Sequence, residues 1–430
     1  MSSERDNLRV NLFDLSASCL SSVIVAADQI TALASETSFG TVGEKETEGN
    51  QKNARLKIDG SFVTDADMAA QQIIVDALHK VSNGIRIVGE ENEEEMRSRA
   101  ITGHETRLEA ISQLAREELL IRYDQEQEQR QNTRSSESSK DIDLPLAQRT
   151  SSNFGSSSDY ENKNRNDSKV MIATVDSSNQ EANQSNSNRI LEMKDFEVDS
   201  ARVSIFIDPL DATDSYAKGI YDPVSILVGI ILDQEPCFGV IGKPFGYQGQ
   251  TSVLDTGCMV VYGGTLLGGA YIAGGGPLNT RKSESTRAEI SLSGNIELDH
   301  RNLPRAVISK SRSQGIVQDF VTHLGERGII HPEPLLVSGA GEKSLRIITG
   351  FQNEGLWFYP KNGTSLWDVA ASDALLRATG GRLTDKYGKD MDYSKSRKQA
   401  QNKNGVVACN NRQIHAECIR IFLDGSWENV

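Results

Sequence analysis

Cysteine and histidine are scarce in this chain of 430 residues. The five cysteines and six histidines form no Cys-x-x-Cys pair and no Cys/His cluster, so the spacing expected of a zinc site is missing. The cysteines are also odd in number and widely scattered. This distribution favours reduced, buried thiols in a cytosolic protein over a disulfide framework.

Long apolar runs and basic tracts are missing as well. The richest apolar stretch, residues 224–232, has the length of a strand and falls short of the roughly 18 residues of a membrane span. Charged residues between Glu4 and Arg9 interrupt any N-terminal apolar run, so no signal peptide is expected. The formal net charge of −14, with no basic tract to offset it, argues against nucleic-acid binding. We therefore expect a cytoplasmic protein with neither membrane nor nucleic-acid partners.

The glycine-rich residues 262–276 lack both common nucleotide-loop signatures. They contain no Gly-x-x-x-x-Gly-Lys-Ser/Thr run, and no Gly-x-Gly-x-x-Gly run placed between a strand and a helix. Tight turns between strands explain these glycines better.

The hydrophobic pattern predicts a mixed α/β protein. Apolar residues at helical spacing predict helices, and short β-branched or aromatic runs predict strands. The predicted helices are 14–36, 65–81 and 367–379, with Thr64 as the N-cap of the second. The predicted strands are 85–88, 203–207, 223–233, 236–245, 356–359, 382–384 and 405–408.

Two divisions of the chain are predicted. A tract rich in Ser, Asn, Gln and Glu over residues 124–196 buries too little apolar surface to offset its ordering entropy, so we expect a disordered insertion there. The remainder divides into an N-terminal half, residues 1–260, which carries most of the acidic residues described next, and a C-terminal half, residues 261–430, which completes the site.

The run Asp208-Pro209-Leu210-Asp211-Ala212-Thr213 is the most informative feature of the sequence. It follows an apolar strand, and Pro209 predicts a sharp turn at the strand's end. Two carboxylates and the carbonyl of Leu210 would then face one point, which is a ligand set suited to Mg²⁺. Taken alone, the same pattern also fits a turn with solvated acids.

Acidic residues at the ends of other predicted elements make the metal interpretation stronger. Glu90 and Glu91 follow the strand 85–88, and Asp368 lies in the segment Trp367-Asp368-Val369-Ala370-Ala371 after the strand 356–359. Asp67 lies at the start of the helix 65–81, where it would also suit the helix dipole. In α/β sheets, carboxylates from distant segments meet at the carboxyl ends of strands.

Glu-Glu, Asp-Pro-Leu-Asp-x-Thr and Trp-Asp-x-Ala-Ala, in this order, resemble the signature of the lithium-sensitive, Mg²⁺-dependent phosphomonoesterase superfamily. This superfamily includes inositol monophosphatases, inositol polyphosphate 1-phosphatases and 3′(2′),5′-bisphosphate nucleotidases. The similarity runs from about Asn7 to Asn411, apart from the insertion. It implies a layered α-β-α-β-α sandwich of the sugar-phosphatase type, with the site between the two halves.

The resemblance implies two or three Mg²⁺ ions, with Li⁺ as an inhibitor. Asp67 and Thr213 would orient and deprotonate the attacking water, and Glu91 is equally consistent with an ordinary solvated acid. No cysteine or histidine lies in these motifs, so a covalent phosphoenzyme is not indicated. The implied metal ligands are Asp67, Glu90, Glu91, Asp208, the carbonyl of Leu210, Asp211 and Asp368.

Two loops and the turn after Asp211 are implied to bind substrate. Gly339-Ala340-Gly341-Glu342-Lys343-Ser344-Leu345 resembles a segment of inositol polyphosphate 1-phosphatases, in which Lys343 would contact a second phosphate. A glycine turn with a solvated Lys343 is the plainer alternative. The implied contacts are Ala212, Thr213, Ser309, Ser311, Gly339, Ala340 and Lys343.

The sequence favours one substrate class and leaves others open. Ala212, where many relatives carry Gly, together with Lys218 and the Gly339 segment, favours removal of the 1-phosphate from inositol polyphosphates such as inositol 1,4-bisphosphate. The Ser-Arg-Ser pattern at 311–313 also resembles bisphosphate nucleotidases, which act on 3′-phosphoadenosine 5′-phosphate. A plain inositol monophosphatase fits less well, and a catalytically inactive scaffold that uses the insertion is the alternative from another class. The oligomeric state stays open, with a monomer favoured.

Overall fold

The computed structural model describes residues 9–39, 55–56, 62–92, 103–138, 196–247, 258–273, 303–425 and 427. Contacts divide the chain into two units. The larger unit comprises Met1–Asp124 and Phe196–Val430 and contains every residue of the predicted site. The smaller unit is Gln125–Asp195, of which only residues 125–138 are described.

Helices and strands alternate along the described residues. The strands are β1 Arg9–Asn11, β2 Arg55–Leu56, β3 Phe62–Val63, β4 Arg86–Gly89, β5 Glu197–Asp199, β6 Val203–Asp211, β7 Ser225–Leu232, β8 Glu235–Lys243, β9 Met259–Gly264, β10 Gly269–Ile272, β11 Arg305–Ser309, β12 Leu335–Val337, β13 Glu354–Tyr359, β14 Arg382–Thr384 and β15 Val406–Cys409. The helices are α1 Leu12–Phe39, α2 Asp65–Val81, α3 Glu105–Ser138, α4 Thr213–Ala217, α5 Ile316–Glu326, α6 Ala340–Thr349, α7 Leu366–Ala378 and α8 Arg412–Asp424.

A six-stranded sheet forms the first half of the larger unit, in the order β10-β9-β8-β7-β6-β4. Only β4 and β6 run parallel, so their carboxyl ends lie side by side at the same edge. The hairpin β7–β8 turns at Asp233 and Gln234, whose φ angles of 50° and 72° match the left-handed turn that short hairpins prefer. This hairpin confirms the two strands predicted on either side of residue 234.

A five-stranded sheet forms the second half, in the order β12-β11-β13-β15-β14. β13 lies in its middle, parallel to β11 and antiparallel to β15. The residues of β13 are buried along its whole length, as a central strand requires.

The helix α7 lies between the two sheets. It packs against β7 and β8 of the first sheet, against β14 of the second, and against α6. The approach to β8 is close, because a Cβ placed on Gly239 would lie 2.3 Å from the carbonyl oxygen of Ala371. With α1 and α2 on the outer face of the first sheet and α5 and α8 against the second, this arrangement confirms the predicted layered sandwich.

The helix α1 covers the predicted 14–36 and packs in the core. Nearly every side chain from Leu12 to Ala27 is buried, including the serines, so the burial extends around more of the helix than one apolar face. Over Leu12–Ser35 its mean hydropathy of 1.5 and its length also meet the requirements of a membrane span. The expectation that no segment approaches a span is therefore wrong on length and composition. In this structure 72% of that window is buried inside the protein.

The predicted insertion starts too early and ends too late. Residues 124–138 belong to the helix α3, because Gln, Glu and Arg are good helix formers and Arg130 pairs with Glu126 one turn earlier at 3.0 Å. Phe196 packs against Phe13 and Tyr123, with ring centroids 6.0 and 5.4 Å apart. The rest of the predicted insertion, residues 139–195, lies outside the described residues.

All five cysteines are buried thiols. Burial raises the pKa of Cys237 and of Cys409 to about 12, so both stay protonated at neutral pH. This result agrees with the sequence interpretation of structural rather than reactive cysteines.

Candidate active site

The carboxyl ends of β4 and β6 bring the first acidic residues together. Gly89 pairs with Ile207, and the backbone N–H of Glu90 donates to the carbonyl of Ile207 at 3.0 Å. This register places Glu90 beside Asp208, which follows Ile207. The pairing confirms that two distant acidic motifs meet at one edge of the sheet.

The strand β6 does not turn at Pro209, contrary to the sequence prediction. It continues to Asp211 with an irregular register against β7 between Asp208 and Asp211. On its other side the ladder with β4 ends at Ile207, so the missing N–H of Pro209 leaves no ladder bond unmade. The turn comes at Ala212, whose φ of 67° and ψ of 39° lie in the left-handed region.

A cavity of about 660 Å³ opens at this edge of the sheet. It collects side chains from both sheets and from the starts of α4, α6 and α7, and most of the predicted site residues line it. The predicted residues in its wall are Glu90, Asp208, Leu210, Asp211, Ala212, Thr213, Ser309, Ser311, Gly339, Ala340, Lys343 and Asp368.

Asp67 lies behind this wall and joins the site through Thr213. Its carboxylate accepts hydrogen bonds from the backbone N–H and the hydroxyl of Thr64, and from the hydroxyl of Thr213 at 3.0 Å. The same Thr213 hydroxyl lies 2.8 Å from the carbonyl of Leu210. Burial, and next the nearby Glu91, raise the pKa of Asp67 to about 7. Asp67 therefore caps its helix, as the plain interpretation predicts, and also contacts the site.

Glu91 is buried rather than solvated, with 3% of its surface exposed. Gln71 fixes its backbone, accepting from the N–H of Glu91 at 2.8 Å and donating to its carbonyl at 2.9 Å. Glu91 contributes to the negative potential around Asp67 but does not line the cavity. The alternative of an ordinary solvated acid is therefore wrong.

Two of the cavity carboxylates, Asp208 and Asp368, have a raised pKa. Burial, and next the charges of Glu90 and Asp211, place the pKa of Asp208 well above its usual value. The pKa of Asp368 rises to about 7, chiefly because of burial and then because of Asp211. The charge of Asp368 also contributes to the raised pKa of Asp208. Carboxylates this close together can all be ionised only when a positive charge lies beside them.

The donor set fits a hard divalent cation. Besides Asp214, the cavity wall offers the four carboxylates of Glu90, Asp208, Asp211 and Asp368 and the carbonyl of Leu210, all oxygen donors of the kind Mg²⁺ prefers. Within the described part of the chain, no three acidic, histidine or cysteine side chains already stand close enough to form a finished metal cage. A bound divalent cation would neutralise the charge of these carboxylates.

Asp211 joins the first sheet to the start of α6. Its Oδ1 accepts from the backbone N–H of Ala340 at 3.1 Å, and its Oδ2 accepts from the N–H of Gly341 at 2.8 Å and from Ser225 Oγ at 3.1 Å. Gly339 allows this approach: with φ of 77°, a Cβ there would lie 2.8 Å from Asp211 Oδ2. Asp211 therefore has a structural role besides the predicted metal role.

Lys343 is buried in the cavity wall, with 5% of its surface exposed, so the alternative of a solvated lysine is wrong. Its ammonium donates to the carbonyl of Gly339 and lies over the ring of Trp357, 5.2 Å from the centroid. Burial lowers its pKa to about 8. A lysine held in this way supplies positive charge opposite the carboxylate cluster.

Four further cavity residues escaped the sequence interpretation. The guanidinium of Arg312 lies 5.5 Å from the ring centroid of Tyr359 and donates to the carbonyl of Gly363 at 2.9 Å. Trp357, Tyr359 and Trp367 also line the cavity, although Trp357 and Tyr359 are almost fully buried. Arg312 lies within the Ser-Arg-Ser pattern that marked its loop, and Trp367 opens the Trp-Asp-x-Ala-Ala motif. Trp357 and Tyr359 lie in the core strand β13, and nothing in the sequence distinguishes them from packing residues.

A model described as the inositol monophosphatase family matches residues 110–424, well over half of the chain. The protein therefore belongs to the inositol monophosphatase family, as the resemblance of its acidic motifs implied.

Two curated relatives show how far the similarity extends. A 3′(2′),5′-bisphosphate nucleotidase 1 from Dictyostelium discoideum is 32% identical over 221 residues, covering 51% of this chain and 63% of that protein. An inositol monophosphatase 3 from Danio rerio is 30% identical over 217 residues, covering 49% and 51%. The matches thus span about half of this chain and less than two thirds of each relative.

One solved structure gives the structural comparison. CysQ from Bacteroides thetaiotaomicron, described as a bacterial member of the inositol monophosphatase family, overlays with a TM-score of 0.46 at 14% identity. The overlay covers 92% of this chain and 97% of CysQ.

Proposed function

We propose that the protein is a Mg²⁺-dependent phosphomonoesterase for a small molecule that carries two phosphates. The convergence of Glu90, Asp208, Asp211 and Asp368 on one cavity, opposite the buried Lys343, is the observation that carries this proposal. Carboxylates alone would repel a phosphate dianion. When the carboxylates hold a cation, that cation and Lys343 together attract the phosphate dianion.

The metal would be held by the oxygen donors at the carboxyl ends of β4 and β6 and at the start of α7. When bound, Mg²⁺ polarises phosphate oxygens and lowers the pKa of a coordinated water. We also propose that Li⁺ inhibits the enzyme by competing at the position between Asp211 and Asp368. The number of ions stays a prediction.

Asp67 and Thr213 are the candidates for activating the attacking water. The Thr213 hydroxyl lines the cavity and lies 3.0 Å from Asp67 Oδ1. If Thr213 donates its proton to Asp67, its oxygen can accept a hydrogen bond from a water in the cavity. Asp67 would take up the proton released by attack, while Thr64 holds its other oxygen in place.

Lys343 and Arg312 would bind the phosphate that is not hydrolysed. Both line the cavity, and Lys343 is held by the Gly339 carbonyl and the Trp357 ring rather than by a carboxylate. A fixed, desolvated cation favours a substrate with a second anionic group at a set distance from the first. A substrate with a single phosphate would leave this charge unmatched.

A nucleoside 3′,5′-bisphosphate is the substrate class we favour. Trp367 is partly exposed in the cavity and gives a base an aromatic ring on which to stack, and the planar guanidinium of Arg312, which covers the buried Tyr359 ring, is a second stacking surface. The similarity to a 3′(2′),5′-bisphosphate nucleotidase also supports this class. Lys218, one of the features that favoured inositol polyphosphates, is exposed and does not line the cavity; it pairs at 2.7 Å with Asp214, which does.

Inositol 1,4-bisphosphate is the second candidate, as the sequence had favoured. Ala212 and the Gly339 segment, the other two features behind that preference, do line the cavity. A polyol ring needs hydrogen-bond partners rather than a stacking surface, and the serines Ser309 and Ser311 on the opposite loop can supply them.

Steady-state kinetics with both substrates separates these candidates. We expect 3′-phosphoadenosine 5′-phosphate to give the higher kcat/KM, and Trp367→Leu to lower that value by about tenfold, the worth of one base-stacking contact. Trp367→Phe is the matched control, because it keeps an aromatic ring. Equal effects of Trp367→Leu on both substrates, or a higher kcat/KM for inositol 1,4-bisphosphate, would contradict the nucleotide assignment.

The scaffold alternative predicts a different result. Deletion of residues 139–195 would then abolish the biological role while substitution of the cavity carboxylates would not. The four predicted metal ligands Glu90, Asp208, Asp211 and Asp368 all line the cavity, which favours catalysis.

A further inference from the structure

A second cavity, of about 690 Å³, lies beside the proposed active site. It is formed by the turn after β14 and the loop that leads to β15, and Gln401 lines both cavities. Its size is in the range of small-molecule sites. Four lysines line it: Lys389, Lys395, Lys398 and Lys403.

The acidic residues of this second cavity are already engaged. Asp390 pairs with Arg377 at 3.0 Å and with Arg382 at 2.8 Å, and neither arginine lines the cavity. Asp385 accepts from the backbone N–H groups of Tyr387 and Lys389, each at 2.9 Å. The charge of Asp390 is therefore compensated by arginines outside the cavity, and the hydrogen-bonding capacity of Asp385 is taken up by the backbone.

The acidic Asp392 is engaged in the same way. It accepts from the backbone N–H of Ser394 at 3.1 Å and from the Ser394 hydroxyl, and it lies 4.0 Å from Lys395. By contrast, Lys389, Lys398 and Lys403 form no ion pair with any residue that the structure describes. The cavity thus presents uncompensated positive charge on a chain whose formal net charge is −14.

Hydrogen bonds from two arginines hold the loop that carries these lysines in place. Arg86 donates to the carbonyls of Ser394 at 3.2 Å and Lys395 at 3.0 Å. Arg397 donates to the carbonyls of Gly89 and Glu90, each at 3.1 Å. The loop is therefore ordered before any ligand arrives, which lowers the entropic cost of binding.

We propose that the second cavity binds a small polyanion with closely spaced phosphate groups, at a site separate from the active site. The loop geometry supplies several ammonium groups around one space, which suits a pyrophosphate-like group better than a single carboxylate. Arg397 ties the same loop to the backbone of Glu90, so the loop of the second cavity is hydrogen-bonded to a predicted metal ligand.

Calorimetric titration of the full chain with inorganic pyrophosphate, in excess EDTA, tests the proposal. EDTA removes the cations that would draw the probe to the carboxylate cluster. We expect saturable binding that weakens about tenfold or more in Lys398→Ser/Lys403→Ser, because one hydrogen bond to a charged group is worth about a factor of ten. Both lysines are exposed, so the variant should fold normally.

Two controls decide where the anion binds. Lys80→Ser/Arg327→Ser removes two exposed positive charges elsewhere and should leave binding unchanged, as should Lys343→Met in the first cavity. Absence of saturable binding, or equal affinity in the Lys398/Lys403 variant, would overturn the proposal. Loss of binding in Lys343→Met would also overturn it, because the anion would then occupy the active site or span both cavities.

Discussion

The buried ion pair between Lys243 and Glu342 should be a main link between β8 and α6. The Lys243 Nζ lies 2.7 Å from Glu342 Oε2, with side-chain exposures of 1% and 8%. Lys243 also donates to the carbonyl of Asp222, and Glu342 accepts from Arg346 at 2.8 Å. Since α6 begins at the residues whose N–H groups bind Asp211, this pair helps to hold one wall of the proposed active site.

The structure sets the size of the expected effect. Two unit charges 2.7 Å apart attract by about 6 kcal/mol at an effective dielectric constant of about 20. Desolvation of both groups opposes this attraction, and it lowers the pKa of Lys243 despite the nearby carboxylate. Removal of one partner leaves the other charge buried, so we expect Lys243→Met to lower the free energy of unfolding by about 3 kcal/mol.

Urea unfolding of the single and double variants measures this coupling. Lys243→Met and Glu342→Gln should each be destabilising, and the double variant should cost less than the sum of the two by about 2 kcal/mol. Arg202→Ala, at an exposed pair with Asp233, is the control and should cost less than about 1 kcal/mol. Strictly additive costs for Lys243 and Glu342 would refute the reasoning.

Three further predictions concern single residues. Ala212→Gly should raise the free energy of unfolding by about 0.5–1 kcal/mol in urea unfolding, because it relieves a left-handed φ of 67°; a loss of stability would contradict this. Gly339→Ala should lower the free energy of unfolding and should slow phosphate release by about tenfold or more, because the added Cβ would lie 2.8 Å from Asp211 Oδ2. Unchanged kinetics would contradict this prediction. His415 has its pKa lowered by burial from 6.5 to about 4, so the native state binds fewer protons and stability is lost as pH falls from 6.5 towards 4. In urea unfolding at pH 7 and pH 4, the decrease in free energy of unfolding should be smaller by about 3 kcal/mol in His415→Gln than in the parent. An equal decrease in both proteins would contradict the assignment.

The strands and the acidic motifs were predictable because local composition determines them. The run Val203–Ile207 is β-branched and aromatic, and it forms the first five residues of β6. The acidic motifs come after such strands, so their meeting follows from sheet geometry. The segments 85–88, 356–359 and 367–379 are confirmed for the same reason.

Features that depend on tertiary packing were not predictable. The extension of β6 through Pro209 depends on where the ladder with β4 ends, and no local signal gives that position. The sequence does not determine whether Lys343 is solvated or buried, because its burial follows from the placement of α6 against Trp357. The helical residues 124–138 were hidden because a polar composition fits both a helix and a disordered tract.

The central claim is that the carboxylate cluster binds a metal that is required for phosphate release. Asp211→Asn would test it poorly, because both Asp211 oxygens accept hydrogen bonds that position α6. Asp368→Asn is cleaner: its remaining carbonyl oxygen can still accept from the Ser365 N–H, as Asp368 does at 2.8 Å.

The most direct measurement is therefore Mg²⁺-dependent phosphate release from 3′-phosphoadenosine 5′-phosphate and from inositol 1,4-bisphosphate, by the full chain and by Asp368→Asn. We predict turnover that EDTA abolishes and that Asp368→Asn lowers by about 100-fold or more, with a melting temperature within a few degrees of the parent. Release from neither substrate, turnover that persists in EDTA, or a variant with near-parental activity would contradict the account.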